Sequence, residues 1–310
     1  MFVHLHWHSH YSILEGIWTP AKIVDKAKSL GMESIAITDF GNMFGTVEFF
    51  MVAKKNWIKA IIWLEMNVQN DIEKLTWKET KNFIVLLAQD EIGYKNLIKL
   101  SSIANTYGYI ELPTIDFKLL KEYSKWLICV LGWENSQIWQ MILNNEDDKK
   151  IWDMVDFYID MFGQENVYIE IIAQDYLKKI NIRKINDKFL AIAWEKNLKK
   201  IVSNVYIYIN KDDKDAFETL TNIRDGTLYW TSQNNLVWDH HILSEEEIRQ
   251  ILSKNKFTED TINELIQGNQ ELNDRLNLKI TLGEIFFPDY KSPSQTLELY
   301  DKHKDTLISE

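Results

Sequence analysis

Short apolar runs recur along the first two thirds of the chain: Val3–His8, Ser34–Asp39, Lys59–Val68, Asn82–Gln89, Lys125–Leu131, Val167–Ile172 and Lys199–Tyr208. Each is rich in Ile, Val, Leu or Tyr and short enough for a strand. Between several of them apolar positions follow a helical period. Thr19-Pro20 opens one such helix, with Thr as the cap and Pro in the first turn. It runs over Ala21–Leu30 and stops at Gly31, the residue type that ends helices by adopting positive φ. Val47–Asn56 followed by Trp57, and Ile182–Lys196 followed by Asn197, repeat that grammar ahead of the next strand. After about residue 240 the pattern turns helical. Ser244-Glu245-Glu246-Glu247 is a capping box, and Thr258 caps a helix predicted to run through about Leu276. Strands alternating with helices predict an α/β fold with a parallel sheet, and about seven such strands suggest a barrel. The competing reading is an open doubly wound sheet, which the lack of a Gly-rich phosphate loop after any strand weakens.

Composition narrows the function. With 45% hydrophobic and 26% charged residues the chain is an ordinary globular one. Its net charge of −11 argues against autonomous DNA binding. Arginine is confined to Arg183, Arg224, Arg249 and Arg275, which removes the usual bidentate phosphate fork. The longest apolar runs, such as Phe83–Ala88, fall far short of the roughly 20 residues of a membrane span. Met1-Phe2-Val3-His4 lacks the regions of a signal peptide. The single cysteine, Cys129, excludes an intramolecular disulfide and a multi-Cys zinc site, and its aliphatic neighbours predict a buried inert thiol. These features together predict a cytoplasmic protein.

Chemistry concentrates at the N-terminus. In a strand, His4, His6 and His8 share one face because side chains alternate, and two imidazoles at one strand end can begin a metal site. The run His6–Gly16 is followed by Ala36-Ile37-Thr38-Asp39-Phe40-Gly41-Asn42-Met43-Phe44-Gly45, and then by Ile58–Val68 containing Glu65. Further along stand Leu86–Asp90, Gly93-Tyr94-Lys95-Asn96-Leu97, Leu131-Gly132, Ser203-Asn204 and Leu282-Gly283-Glu284-Ile285-Phe286-Phe287-Pro288. In this order the segments resemble the PHP (polymerase and histidinol phosphatase) domain, in the version found at the N-terminus of bacterial DNA polymerase III alpha subunits.

The resemblance implies a distorted seven-stranded βα barrel of PHP type, followed by a short helical segment. It implies a PHP barrel over 1–240, a helical extension over 241–280, and over 281–310 the start of a linker toward a polymerase palm that this sequence does not contain. His6, His8, Glu15 and Glu65 match metal-ligand positions of the motif, and Asp39 matches an aspartate that supports ligands. The other ligand positions carry Phe40, Phe83, Trp133, Val205 and Ile207, none of which can bind a metal. No histidine lies between residues 11 and 239, so a multinuclear site fed by several strands cannot be assembled. His240 and His241 match no family ligand and read as surface residues.

The resemblance therefore predicts a vestigial metal site, with no catalytic residue and a role in structure and docking. A single weakly held Zn²⁺ or Mn²⁺ on His6, His8 and carboxylates is the remaining metal option. Mg²⁺ would belong to the palm. The implied partners are the remainder of the alpha subunit and the proofreading exonuclease subunit, with DNA reached only through the parent polymerase. The alternative is a metal-dependent 3′–5′ exonuclease or phosphoesterase on a reduced ligand set.

Glycine is scarce at 11 residues and proline at 4, while tryptophan reaches 12. Trp57, Trp63, Trp126 and Trp133 stand where the family pattern has or accepts glycine. Trp57 and Trp126 also precede strands in turns, where positive φ is expected and a bulky residue is costly. The pattern suggests UGA codons read as glycine in the source and written here as tryptophan. Genuine tryptophans filling a core or an interface are the alternative.

Overall fold

A computed structural model of the chain describes residues 2–75, 81–109, 111–174, 180–228, 240–285 and 287. It divides into two units, Met1–Lys279 and Ile280–Glu310. Phe286, Pro288 and His303 lie outside the described residues.

Seven strands make one mixed sheet: β1 (Ser34–Phe40), β2 (Lys59–Gln69), β3 (Phe83–Ala88), β4 (Thr114–Asp116), β5 (Leu127–Leu131), β6 (Val167–Ile172) and β7 (Lys199–Ser203). Their order is β1-β2-β3-β5-β6-β7, with β4 paired to β2. The sheet curls into a half-barrel with the helices around it. From Ile61 to Val68, β2 is buried on both faces, and β3 and β6 are buried throughout, as expected for strands with helices outside and side chains inside.

Several helices start where a side chain can satisfy one of their first N–H groups. The Thr19 hydroxyl accepts from Lys22 N at the start of α1 (Pro20–Ser29), and Gly31 follows at φ +73°. Next come α2 (Thr46–Lys55), α3 (Glu91–Thr106), α4 (Phe117–Glu122), α5 (Gln137–Leu143), α6 (Asp148–Phe162), α7 (Ile180–Glu195) and α8 (Lys214–Asp225). The Ser244–Glu247 capping box opens α9 (Glu245–Lys254), and Thr258 caps α10 (Glu259–Arg275). Asn269 ties α10 to the sheet: its amide bonds the backbone N and O of Val202 and the carbonyl of Val3. Cys129 is fully buried in β5, and burial pushes its thiol well above the ordinary range.

Three features differ from the sequence expectation. The sheet is not all parallel: β3 runs antiparallel to both β2 and β5. Residues 70–82 between β2 and β3 include among the described residues only a short 3₁₀ turn, Ile72–Lys74, whereas a parallel return is usually made through a helix. The segment Val3–His8 is not a continuous strand. It bridges the sheet's two ends, pairing at His4 with Ile35 of β1 and at Trp7 with Tyr206 beyond β7. The three-residue strand β4 was not foreseen.

Candidate metal centre

Residues 4–8 take a fixed position because both of their backbone edges are bonded. Ala36 N donates to His4 O and Thr38 N to Trp7 O on one side. Tyr206 N donates to His6 O, and His8 N to Tyr206 O, on the other. His4, His6 and His8 are all buried, but they do not act alike. His4 directs Nε2 to the Leu243 carbonyl at 2.6 Å, and burial pushes its imidazole down to about 3. His6 and His8 instead converge on Glu65 of β2, with Nε2 to Oε2 distances of 3.4 and 3.0 Å. One ligand atom from each of these three buried residues lies within 4.8 Å of the others.

Burial raises the Glu65 carboxyl, but the bonds and charge of His6 and His8 outweigh this and hold it low. Burial likewise lowers the His6 imidazole, and the carboxylates of Glu170 and Glu65 more than reverse that. Glu15 lies beside the other face of His8, 3.8 Å from Nδ1, and 3.9 Å from Arg224 Nη1. Asp39 accepts from Ser9 N, from both Ser9 and Ser12 hydroxyls, at 2.8–2.9 Å. It pins the loop that follows His8.

A cavity of about 850 Å³ opens beside the cluster. His8, Glu15 and Glu65 line it, and so do Phe40, Phe83, Trp133, Val205 and Ile207. The folded chain thus gathers these sequence-singled positions around one space. Phe40 and Phe83 meet edge to face at 5.1 Å. The Trp133 indole packs 4.5 Å from the His6 ring, and its Nε1 donates to Glu65 Oε1 at 2.8 Å. Glu65 Oε2 is left facing the two imidazoles.

Sequence reading missed two residues here. His240, expected on the surface, is 9% exposed and lines the cavity. The chain beside it pairs with the end of the barrel, Ile207 N donating to His240 O, and His240 Nδ1 bonds Val205 O at 2.9 Å. No sequence spacing links residues 205 and 240. Glu170 of β6 is fully buried, 3.5 Å from His6 Nδ1. It is the only charged residue in Val167–Ile172, a signal that could have found it.

The donor set fits a divalent cation. Two imidazoles and a carboxylate are the nitrogen and oxygen ligands that Zn²⁺ and Mn²⁺ accept. Among the described residues no Lys or Arg pairs with Glu65 or Glu170, so two buried carboxylates match a charge of +2. Buried His6 Nδ1, His8 Nδ1 and Glu170 Oε2 have no hydrogen-bond partner.

A half-barrel with a histidine-carboxylate cluster at its mouth defines a class of metal-site domains, and comparison with known proteins gives the family. The PHP domain model matches residues 4–174. The chain belongs to the PHP family. It is 31% identical to the DNA polymerase III subunit alpha of Borreliella burgdorferi over 97% of this chain and 26% of that protein. The Helicobacter pylori subunit is 33% identical over 94% and 24%, and the Chlamydia trachomatis subunit 32% over 76% and 20%. The chain therefore matches the N-terminal PHP module of these polymerases and spans about a quarter of their length or less. No helix among the described residues is long and apolar enough to cross a membrane.

Proposed function

We propose that this chain is a non-catalytic PHP module of a replicative polymerase alpha subunit, with a degenerate site that holds at most one divalent cation. One observation carries the reading: Phe40, Phe83, Trp133, Val205 and Ile207 put carbon or indole into the cavity where further ligands would be needed. If the tryptophan at 133 is glycine in the natural protein, the other four positions still supply no ligand. His6, His8 and Glu65 would hold the cation, which when bound supplies Lewis acidity and a nucleophilic water. What these residues do by themselves is join the N-terminal segment to β2 across the barrel mouth. The module then serves as a support for the remainder of the alpha subunit, with residues 281–310 starting the linker toward the palm. The proofreading exonuclease subunit is the proposed docking partner, and DNA synthesis in the cytoplasm, with Mg²⁺ in the palm, is the activity of the parent polymerase.

The His6–His8–Glu65 cluster favours a second reading, a 3′–5′ exonuclease or phosphoesterase on three ligands. The two separate in one experiment. Purified chain is incubated with Mn²⁺ or Zn²⁺, its metal content is measured, and hydrolysis of single-stranded DNA and of bis-p-nitrophenyl phosphate is followed. At most one bound metal and no hydrolysis above the protein-free control are expected. Hydrolysis that disappears in both His6→Ala and His8→Ala would overturn the non-catalytic reading.

A further inference from the structure

Glu170 has no part in the ligand set, yet its side chain is among the most deeply buried charges in the chain. It projects from the middle of β6 toward His6, where Oε1 lies 3.5 Å from Nδ1. Both side chains are fully shielded from solvent. The Ser203 hydroxyl of β7 donates to the same Oε1, which fixes the carboxylate against the imidazole. Glu170 Oε2 and His6 Nδ1 have no hydrogen-bond partner. The opposite nitrogen of the ring, Nε2, faces Glu65 Oε2 at 3.4 Å, and Trp133 packs against the ring at 4.5 Å. Gly132, at φ +134°, lets the chain pass so close that an added Cβ would collide with the Glu170 carbonyl.

A buried carboxylate with no Lys or Arg beside it is costly. Facing one nitrogen of a histidine whose other nitrogen faces a ligand cluster, it has a specific use. A metal-binding imidazole must present a bare nitrogen to the metal, and the partner of the opposite N–H decides which nitrogen that is.

We propose that Glu170 is the positioning residue of this centre: it accepts the Nδ1 proton of His6 and so holds the ring in the tautomer whose Nε2 lone pair faces Glu65 and a divalent cation. Its charge, added to that of Glu65, matches the charge of the cation. The proposal rests on the metal-binding reading above.

The test uses the 310-residue chain and Zn²⁺ as the probe. Affinity is measured by titration calorimetry, and His6 is followed in the Zn²⁺-saturated protein by long-range ¹H–¹⁵N NMR. Wild type is expected to bind one Zn²⁺ with His6 metallated at Nε2 and protonated at Nδ1. Glu170→Leu removes the acceptor and is expected to weaken Zn²⁺ about 10–100-fold, with loss of the single His6 tautomer. Glu170→Gln keeps an acceptor in the same shape and is expected to keep Nε2 coordination with a smaller loss. Ser203→Ala, which frees the Glu170 carboxylate without removing it, is expected to lie between wild type and Glu170→Leu. If Glu170→Leu does not fold, the Gln and Ser203 variants decide. Unchanged affinity and tautomer in the variants that fold, or Nδ1 coordination in wild type, would overturn this proposal alone. Failure of wild type to bind Zn²⁺ would overturn the metal reading, and this proposal with it.

Discussion

Trp57 offers a measurable test of backbone strain. It sits at φ +61° in the turn between α2 and β2, with 93% of its surface exposed. A left-handed conformation costs a residue with a Cβ about 1–2 kcal/mol. The indole returns little, because a fully enclosed Trp buries about 150–250 Å². At 93% exposure roughly 20 Å² is covered, worth about 0.5 kcal/mol. Comparing Trp57→Gly with Trp57→Ala isolates the strain, since both remove the indole and only alanine keeps a Cβ. Glycine loses about 0.4–1 kcal/mol through the greater freedom of its unfolded chain. The balance leaves Trp57→Gly more stable than Trp57→Ala by about 0.5–1 kcal/mol. Guanidinium unfolding followed by far-UV circular dichroism reads this difference. With a slope of about 5 kcal/mol per molar, the midpoints should differ by about 0.1–0.2 M. An alanine variant equal to or more stable than the glycine variant would refute the reasoning. Trp126 shares the geometry at φ +60° but is only 52% exposed, so relief of strain and loss of contact should roughly offset in Trp126→Gly.

Other outcomes follow from single residues. If the tryptophans at glycine-like positions are recoded, UGA should stand at codons 57, 63, 126 and 133 of the gene, and UGG at all four would end that idea. His4 is held neutral, with burial lowering it from 6.5 to about 3. Because the folded value lies below the unfolded one, its contribution is intact above pH 6.5 and is lost as pH falls toward 3. Urea melts at pH 6.5 and pH 5 should show wild type losing up to about 2 kcal/mol more than His4→Gln; equal losses would refute this assignment. Gly132→Ala should cost at least about 2 kcal/mol, from its φ of +134° and the collision with the Glu170 carbonyl, and a melting temperature unchanged from wild type would contradict it.

Much of the chain's local structure is written in its sequence. Thr19-Pro20 and Gly31 mark both ends of α1, Ser244 and Glu247 open α9, and the positive φ at Trp57 and Trp126 follows from their turns. These depend on neighbours a few residues apart, whose bonds form wherever the segment lies. The pair His6 and His8 was legible for the same reason, as two positions on one face of an extended segment. The fold determined what those residues meet. The reversed direction of β3, the bridging of both sheet ends by residues 4–8 and the capture of His240 beside Val205 rest on hydrogen bonds between distant segments. Glu170 stands 164 positions from His6, and only the curling of the sheet, which brings β6 across from the N-terminal segment, makes its carboxylate part of the site. Phe40, Phe83, Trp133, Val205 and Ile207 could be named one at a time from the sequence. That they wall a single cavity next to Glu65 was decided by the curl of the sheet, which brings strand ends and the segments after β5 and β7 around one space.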